Sequence, residues 1–214
     1  MTVLGLLGDR YEPVTEQICL GYAFGDGRQT SCEVTVEAVE NLLGGQEIDQ
    51  YLAMGLDGIS TLNDLAGGVT VTLEDDFSAA DPAMTKGTTL TLQGDQAEIF
   101  VRRRMDIGEG TNEARMVRQE EYLAQLSAQL ESRVQQDQQF TAQVYDALQP
   151  YLVTDLAKGQ LVNEVWAAKD DTVEPAIALE GEHKVAEDGF TEFYPTEASI
   201  QKAVLTLFWE PVEE

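Results

Sequence analysis

The sequence predicts an α/β fold, with a central mixed β-sheet and helices on both faces. Three observations carry that prediction. Val69-Thr70-Val71-Thr72-Leu73 and Thr89-Leu90-Thr91-Leu92 alternate apolar and polar residues, the period of a strand with one buried face. Between such runs, apolar residues recur at helical spacing, and the glycine pairs Gly44-Gly45 and Gly67-Gly68 stand where two helices should stop. Strands that alternate with amphipathic helices bury both kinds of apolar face by layering helices on a sheet.

Taken in order, Thr2 to Leu7 predicts a short apolar strand that turns at Gly8-Asp9. After a loop with Gly21, Gly25 and Gly27, Thr30-Ser31-Cys32-Glu33 offers a capping box. Val36, Val39 and Leu43 then mark a helix that Gly44-Gly45 ends. Ile48 to Met54 predicts a strand, and Ile59, Leu62 and Leu65 fall on one helical face. A polar, Asp-rich loop around Pro82 joins the two alternating strands. Ala97, Phe100 and Val101 give a short amphipathic helix that ends at the arginines. From about Glu113 a long helix carries the stripe Met116, Leu123, Leu126, Leu130 and Val134; a second holds Phe140, Val144 and Leu148 and is limited by Pro150. Leu161, Val162 and Val165 predict a helix, Pro175 to Leu179 a strand, and Ile200, Val204 and Leu207 the last helix. Trp166 and Trp209, on apolar helical faces, are assigned to the core.

At 214 residues and 43% hydrophobic, with no repeat or low-complexity tract, the chain is expected to fold as one domain over residues 1–214. A formal net charge of -26 repels phosphates, so nucleic acid is excluded as a partner. No run approaches the roughly 20 apolar residues of a membrane helix, and the segment from Met1 to Tyr11 lacks the basic opening of a secretory signal. Cys19 and Cys32 are too few for a zinc site of the usual pattern; they are either separate thiols or, after export, one disulfide. The single histidine, His183, lies among Glu180, Glu182 and Lys184 and reads as solvated surface. Gly67-Gly68 is no phosphate loop, since no Lys-Ser/Thr pair follows. Asp75-Asp76 and Asp170-Asp171 read as solvated loop charge with at most weak affinity for a cation.

The chemistry-bearing pattern is arginine. Five of the thirteen basic side chains, Arg102, Arg103, Arg104, Arg115 and Arg118, lie within seventeen positions, and no lysine is among them. A guanidinium offers a planar fork that meets phosphate oxygens two at a time, so a diphosphate could engage several. Arg115, Arg118 and Gln119 share one face at the start of a helix. If the chain is extended after Val101, Arg102 and Arg104 point together and Arg103 points to solvent. The competing reading is surface pairing with the abundant Asp and Glu.

Order along the chain favours the first reading. Gly21-Tyr22-Ala23-Phe24-Gly25-Asp26-Gly27, Thr35 to Leu43, Leu62-Asn63-Asp64-Leu65-Ala66-Gly67-Gly68-Val69, Gly94-Asp95-Gln96-Ala97, Phe100-Val101-Arg102-Arg103-Arg104 and Arg115-Met116-Val117-Arg118-Gln119 occur in sequence. With Glu192-Phe193-Tyr194-Pro195 and Leu207-Phe208-Trp209 near the end, this series resembles the LytR-CpsA-Psr family of cell-envelope proteins, clostridial-type members in particular. The resemblance implies a phosphotransferase domain acting on polyprenyl-pyrophosphate-linked glycans, with Mg2+ as cofactor and a peptidoglycan sugar hydroxyl as acceptor. It assigns catalytic roles to Arg102, Arg104 and Arg115 and substrate binding to Arg118, Gln119 and Asp9; it identifies no metal ligands. Two departures stand out: Gly8 replaces the motif arginine before Asp9, and Asn112 stands where the family has an acid. The domain is expected to be amino-terminally incomplete, so that membrane association would come only through a segment not contained here. An extracytoplasmic location is implied. The alternative is a non-catalytic phospholipid- or glycan-binding domain, or a regulatory one of the kind labelled transcriptional attenuators.

Overall fold

The computed structural model describes residues 2–7 and 10–15 by their backbone, and 17–171, 176–186, 189 and 191–209 in full. The predicted first strand, β1 (Thr2–Leu7), pairs antiparallel with β2 (Arg10–Thr15), Thr2 facing Thr15 and Leu7 facing Arg10. A 3-10 segment (Ile18–Phe24) leads into α1 (Gln29–Leu42). The expected capping box is not used, because the helix begins before Thr30. Its entry is held instead by Asp26, whose Oδ1 accepts from the Arg28 N–H at 2.8 Å, and by Ser31, whose Oγ accepts from the Gly27 N–H at 2.8 Å. The helix buries Ser31, Cys32, Val34 and Ala38, while Val36, Val39 and Leu43 are half-buried. Its end is as expected: Gly44 and Gly45 both take positive φ, and the Gly45 N–H returns to the Glu40 carbonyl at 2.8 Å.

Of the strand expected at Ile48 to Met54, only β3 (Leu52–Met54) forms. The Ile48 N–H is taken by Glu40 Oε1 at 2.9 Å, which ties the first residue of that run to α1. Next come α2 (Asp57–Ala66), closed by Gly67 at φ 103°, then β4 (Thr70–Thr72) and β5 (Thr89–Thr91), antiparallel with Val71 facing Leu90. After them stand α3 (Asp95–Arg102), α4 (Asn112–Gln136) and α5 (Phe140–Leu148). A 3-10 turn containing Pro150 precedes β6 (Leu152–Thr154), which pairs with β3, and α6 (Lys158–Ala167) follows. The chain continues through β7 (Gly181–Val185), β8 (Thr191–Pro195) and α7 (Glu197–Phe208).

The strand predicted at Pro175 to Leu179 is displaced: residues 176–180 are irregular and Ile177 is exposed. Antiparallel pairing with β8 starts at Gly181, where a Cβ would lie 2.2 Å from the Tyr194 carbonyl oxygen, so only glycine permits the approach.

The architecture is mixed α/β, and among the described residues the strands pair two by two: β1–β2, β3–β6, β4–β5 and β7–β8. The chain divides into two compact units, residues 1–52 with 172–214, and residues 53–171. The second unit holds the main core. Val69, Val71 and Leu73 point inward from β4 and its flanks and are fully buried, as their alternation predicts, and Phe77, Met84, Leu92, Ala97, Phe100 and Ile107 complete that centre. On α4 the buried stripe differs from the expected one. Arg118, Tyr122, Leu126 and Val134 face inward at spacings of four and eight, while Met116 and Leu123 are 48% and 57% exposed. A polar guanidinium and a tyrosine thus occupy core positions that hydrophobicity alone assigns to their apolar neighbours. Trp209 and Leu207 are also exposed, at 63% and 57%, contrary to the core assignment; Trp166 is half-buried, with Lys169 Nζ 5.3 Å from its ring centre.

Candidate functional site

The candidate site is built on the join between α3 (Asp95–Arg102) and α4 (Asn112–Gln136). Beneath it, Asn63 is fully buried, and its side-chain hydrogen bonds to Leu92, Val69 and Tyr122 reach beyond α2. Its Nδ2 donates to the Leu92 carbonyl at 2.7 Å and to Asp64 Oδ1 at 3.1 Å; its Oδ1 accepts from the Val69 N–H at 3.1 Å and from Tyr122 Oη at 3.3 Å. One amide side chain therefore locks the end of α2 to the entrance of β4, the exit of β5 and the inner face of α4. Gly68 completes the junction, since at φ 83° a Cβ would fall 2.6 Å from Thr91 Cγ2 and 2.7 Å from the Leu92 oxygen. Burial, with Asp64 nearby, pushes the Tyr122 phenol up to about 12. The phenol accordingly stays neutral and donates.

Above this junction, α3 buries Ala97, Phe100 and Val101, and Arg102 is its last residue. The chain is therefore helical at Arg102 and extended at Arg103 (φ −65°, ψ 130°), so the extended run expected directly after Val101, which would have pointed Arg102 and Arg104 the same way, does not form. Arg102 Nη1 pairs with Glu98 Oε1 at 2.6 Å, one helical turn back, and its side chain is half exposed. Arg103, expected to point to solvent, is half-buried, and Arg104 is exposed.

The loop that follows buries Ile107 and uses positive φ at Asp106, Gly108 and Gly110. Thr111 then caps α4, its Oγ1 accepting from the Ala114 N–H at 3.1 Å. Arg115 Nη2 donates to Asn112 Oδ1 at 2.5 Å, and its Nε is buried with no hydrogen-bond partner among the described residues.

Arg118 and Gln119 turn inward. Arg118 Nε donates to the Phe100 carbonyl at 3.2 Å, Nη2 to the Arg103 carbonyl at 2.5 Å, and Nη1 pairs with Asp75 Oδ2 at 3.4 Å; the guanidinium lies 5.3 Å from the centre of the Phe77 ring. Gln119 Nε2 donates to the Val101 carbonyl at 2.9 Å. Burial lowers the pKa of Arg118, and Asp75 opposes the shift. Asp75 is thus an ion-pair partner and not the solvated loop charge expected for it. Asp76 is solvated; its carboxyl is held below the usual value by the Ser78 N–H and hydroxyl. Asp170 pairs with Lys169.

The structure therefore brings Arg118 and Gln119 against the segment that carries Arg102, Arg103 and Arg104, through main-chain carbonyls. Asp9 and Gly8 lie outside the described residues. Sequence reasoning missed Asn63, Asp75 and Phe77. Asn63 was visible as a polar residue beside the apolar face of α2, four positions before Gly67-Gly68; nothing local marks Asp75 or Phe77 as partners of a side chain some forty positions later. Cys19 and Cys32 are not bridged: Cys19 is exposed and Cys32 buried. His183 is exposed on β7 with its ring 5.0 Å from that of Phe193, in keeping with a surface role.

Among the described residues no group of three or more His, Cys, Asp or Glu could hold a metal ion, and Asp75 is already engaged by Arg118. These residues do not fit a protein-caged Mg2+. No helix of the described residues is long and apolar enough to cross a membrane.

Comparison with known proteins agrees with the order of the motifs. The LytR_cpsA_psr family profile matches residues 5–207, and the chain belongs to that family. Among solved structures, gbs0355 from Streptococcus agalactiae has a TM-score of 0.74 at 20% identity, covering 96% of this chain and 71% of that one. TagV from B. subtilis has a TM-score of 0.65 at 21% identity, covering 98% and 81%. A structure of TagT bound to LI-WTA has a TM-score of 0.64 at 18% identity, covering 94% and 72%. At these identities the likeness is one of fold. Among curated proteins none matches.

Proposed function

We propose that this chain is the diphosphate-handling domain of a cell-envelope glycopolymer transferase. It would grip the pyrophosphate of a polyprenyl-linked glycan with Arg102, Arg104 and Arg115, supported by Arg118, Gln119 and Asp9. The observation that carries the reading is the match of the family over residues 5–207 together with the join between α3 and α4, where all five arginines stand on two segments fastened to each other. TagT bound to LI-WTA, a protein of similar fold, adds support for an envelope glycan as ligand. An extracytoplasmic site of action belongs to the same proposal.

The chemistry asked of the site is charge neutralisation. An acceptor sugar hydroxyl attacks the phosphorus that bears the glycan and loses its proton to solvent or a nearby base. The bond from that phosphorus to the bridging oxygen breaks, and polyprenyl phosphate leaves with the electron pair. Guanidinium forks hold the negative oxygens before and during that transfer. No step is routed through a metal ion.

A second reading, a binding module without turnover, is favoured by Asn112. This neutral residue meets Arg115 where the resembling sequences carry an acid. Titration of a polyprenyl pyrophosphate analogue tests both readings. Arg102→Ala and Arg115→Ala should each weaken binding by about 1.5 to 3 kcal/mol for a charge-assisted contact, and Arg103→Ala should change it little. Equal binding by the parent and all three variants would overturn both. Binding without release of polyprenyl phosphate in the presence of peptidoglycan selects the second.

A further inference from the structure

We infer that Arg118 is a positioning residue: an internal strut that sets the direction of the Arg102 to Arg104 segment and does not itself bind the anion. The inference rests on the diphosphate reading above and revises the part Arg118 plays in it.

The residue is 8% exposed, and each of its three side-chain nitrogens is already engaged within the protein. The carbonyls of Phe100 and Val101 belong to the last turn of α3, where no further helical N–H can reach them; Arg103 is the residue just beyond. Arg118 takes the first and third of these carbonyls and Gln119 the second, so two adjacent side chains of α4 cap α3 from the side. Turning Arg118 outward to a ligand would strand two carbonyls and the Asp75 carboxylate, and would give up the face of Phe77. Arg102 and Arg115 have no such obligations. Among the described residues, one is half exposed and bound only to Glu98; the other holds Asn112 and leaves its Nε without a partner.

The strut reaches further along the loop. A Cβ at Gly108 would fall 2.2 Å from Asp75 Oδ1, so the backbone there packs directly on the carboxylate that pairs with Arg118. Asp75, Arg118 and Gly108 form a continuous contact from the residues after β4, through the start of α4, to the loop that follows Arg104. Lysine cannot replace the arginine, because an ammonium is a point charge and cannot span two carbonyls and a carboxylate.

The test uses the full chain, hydrogen exchange without ligand, and calorimetric titration of inorganic pyrophosphate. Arg118→Met should speed amide exchange at residues 103–110 by about tenfold or more while amides of α5 and α6 keep their protection. It should also weaken pyrophosphate binding by about tenfold, and the double variant with Arg104→Ala should bind within about twofold of Arg104→Ala alone, because a residue acting through the loop adds nothing once the loop's arginine is gone. Arg118→Lys should fail to restore binding. Asp75→Asn, which spares both carbonyl caps, supplies a milder variant and should loosen the same amides less.

Weaker binding with unchanged exchange at 103–110, additive losses in the double variant, or parental binding by Arg118→Lys would each overturn the strut. Unimpaired pyrophosphate binding by Arg102→Ala and Arg104→Ala would instead sink the diphosphate reading. The exchange data would still report whether Arg118 orders the loop.

Discussion

Replacing Asn63 by alanine tests whether one buried amide holds the second unit together. The change deletes the acceptor of the Val69 N–H and the donor to the Leu92 carbonyl, both at positions with no access to water, and leaves Tyr122 Oη without its Asn63 contact. A buried main-chain group left unsatisfied costs about 1 to 3 kcal/mol, so the two main-chain groups alone should cost about 2 to 6 kcal/mol, centred near 4. The tyrosine contact, at 3.3 Å the longest of the set, adds a smaller amount. Urea denaturation in a Trp209→Phe background, followed by Trp166 fluorescence, reads the unit that contains Asn63. Tyr122→Phe, which removes only the weakest bond, should cost about 1 kcal/mol in the same assay. A loss below about 1 kcal/mol for Asn63→Ala, or one no larger than that for Tyr122→Phe, would refute the claim that Asn63 is the fastening point.

Three further outcomes are expected. The Tyr122 phenol has a folded-state pKa raised to about 12, so the stability it contributes is complete below the ordinary value of 10.0 and declines as pH rises through about 12; the alkaline slope of stability should flatten in Tyr122→Phe. Gly68 and Gly87 both have positive φ, but a Cβ at Gly87 meets nothing within 4 Å whereas one at Gly68 meets Thr91 and Leu92. Gly87→Ala should therefore cost about 1 to 2 kcal/mol for left-handed backbone and Gly68→Ala at least about 1 kcal/mol more for the clash, as compared by thermal denaturation. Asp81 is held below its ordinary 3.8 first by Gln96 and then by the Ala83 N–H. Its contribution to stability is thus present above that value and lost as pH falls through the lower folded one, and Gln96→Leu should move its NMR titration midpoint upward.

Much of the second unit was legible in the sequence because its signals are local. The alternation of Val69, Val71 and Leu73, the helical spacing of Ala97, Phe100 and Val101, and the positive-φ glycines after α1 and α2 each depend on chain geometry within a few residues. The gathering of Arg102, Arg103, Arg104, Arg115 and Arg118 into a short stretch needed no structure either, nor did the likeness of the ordered motifs to a family that the comparison then matched over residues 5–207.

The tertiary structure decided which arginine faces where. Periodicity placed Met116 and Leu123 inward on α4. The fold turns Arg118 and Tyr122 inward instead, because the end of α3 presents carbonyls that need donors and Asn63 presents an oxygen that accepts one. Hydrophobicity cannot anticipate such a choice, since the partners lie fifteen to fifty-nine positions away and the free energy comes from satisfying buried polar groups. The same holds for Asp75, which looked like surface charge until its distant arginine was brought beside it. The sequence by itself determined the family, the local elements and the positions of the arginines; only three-dimensional packing separated the buried arginine committed to the protein from those left partly or fully exposed.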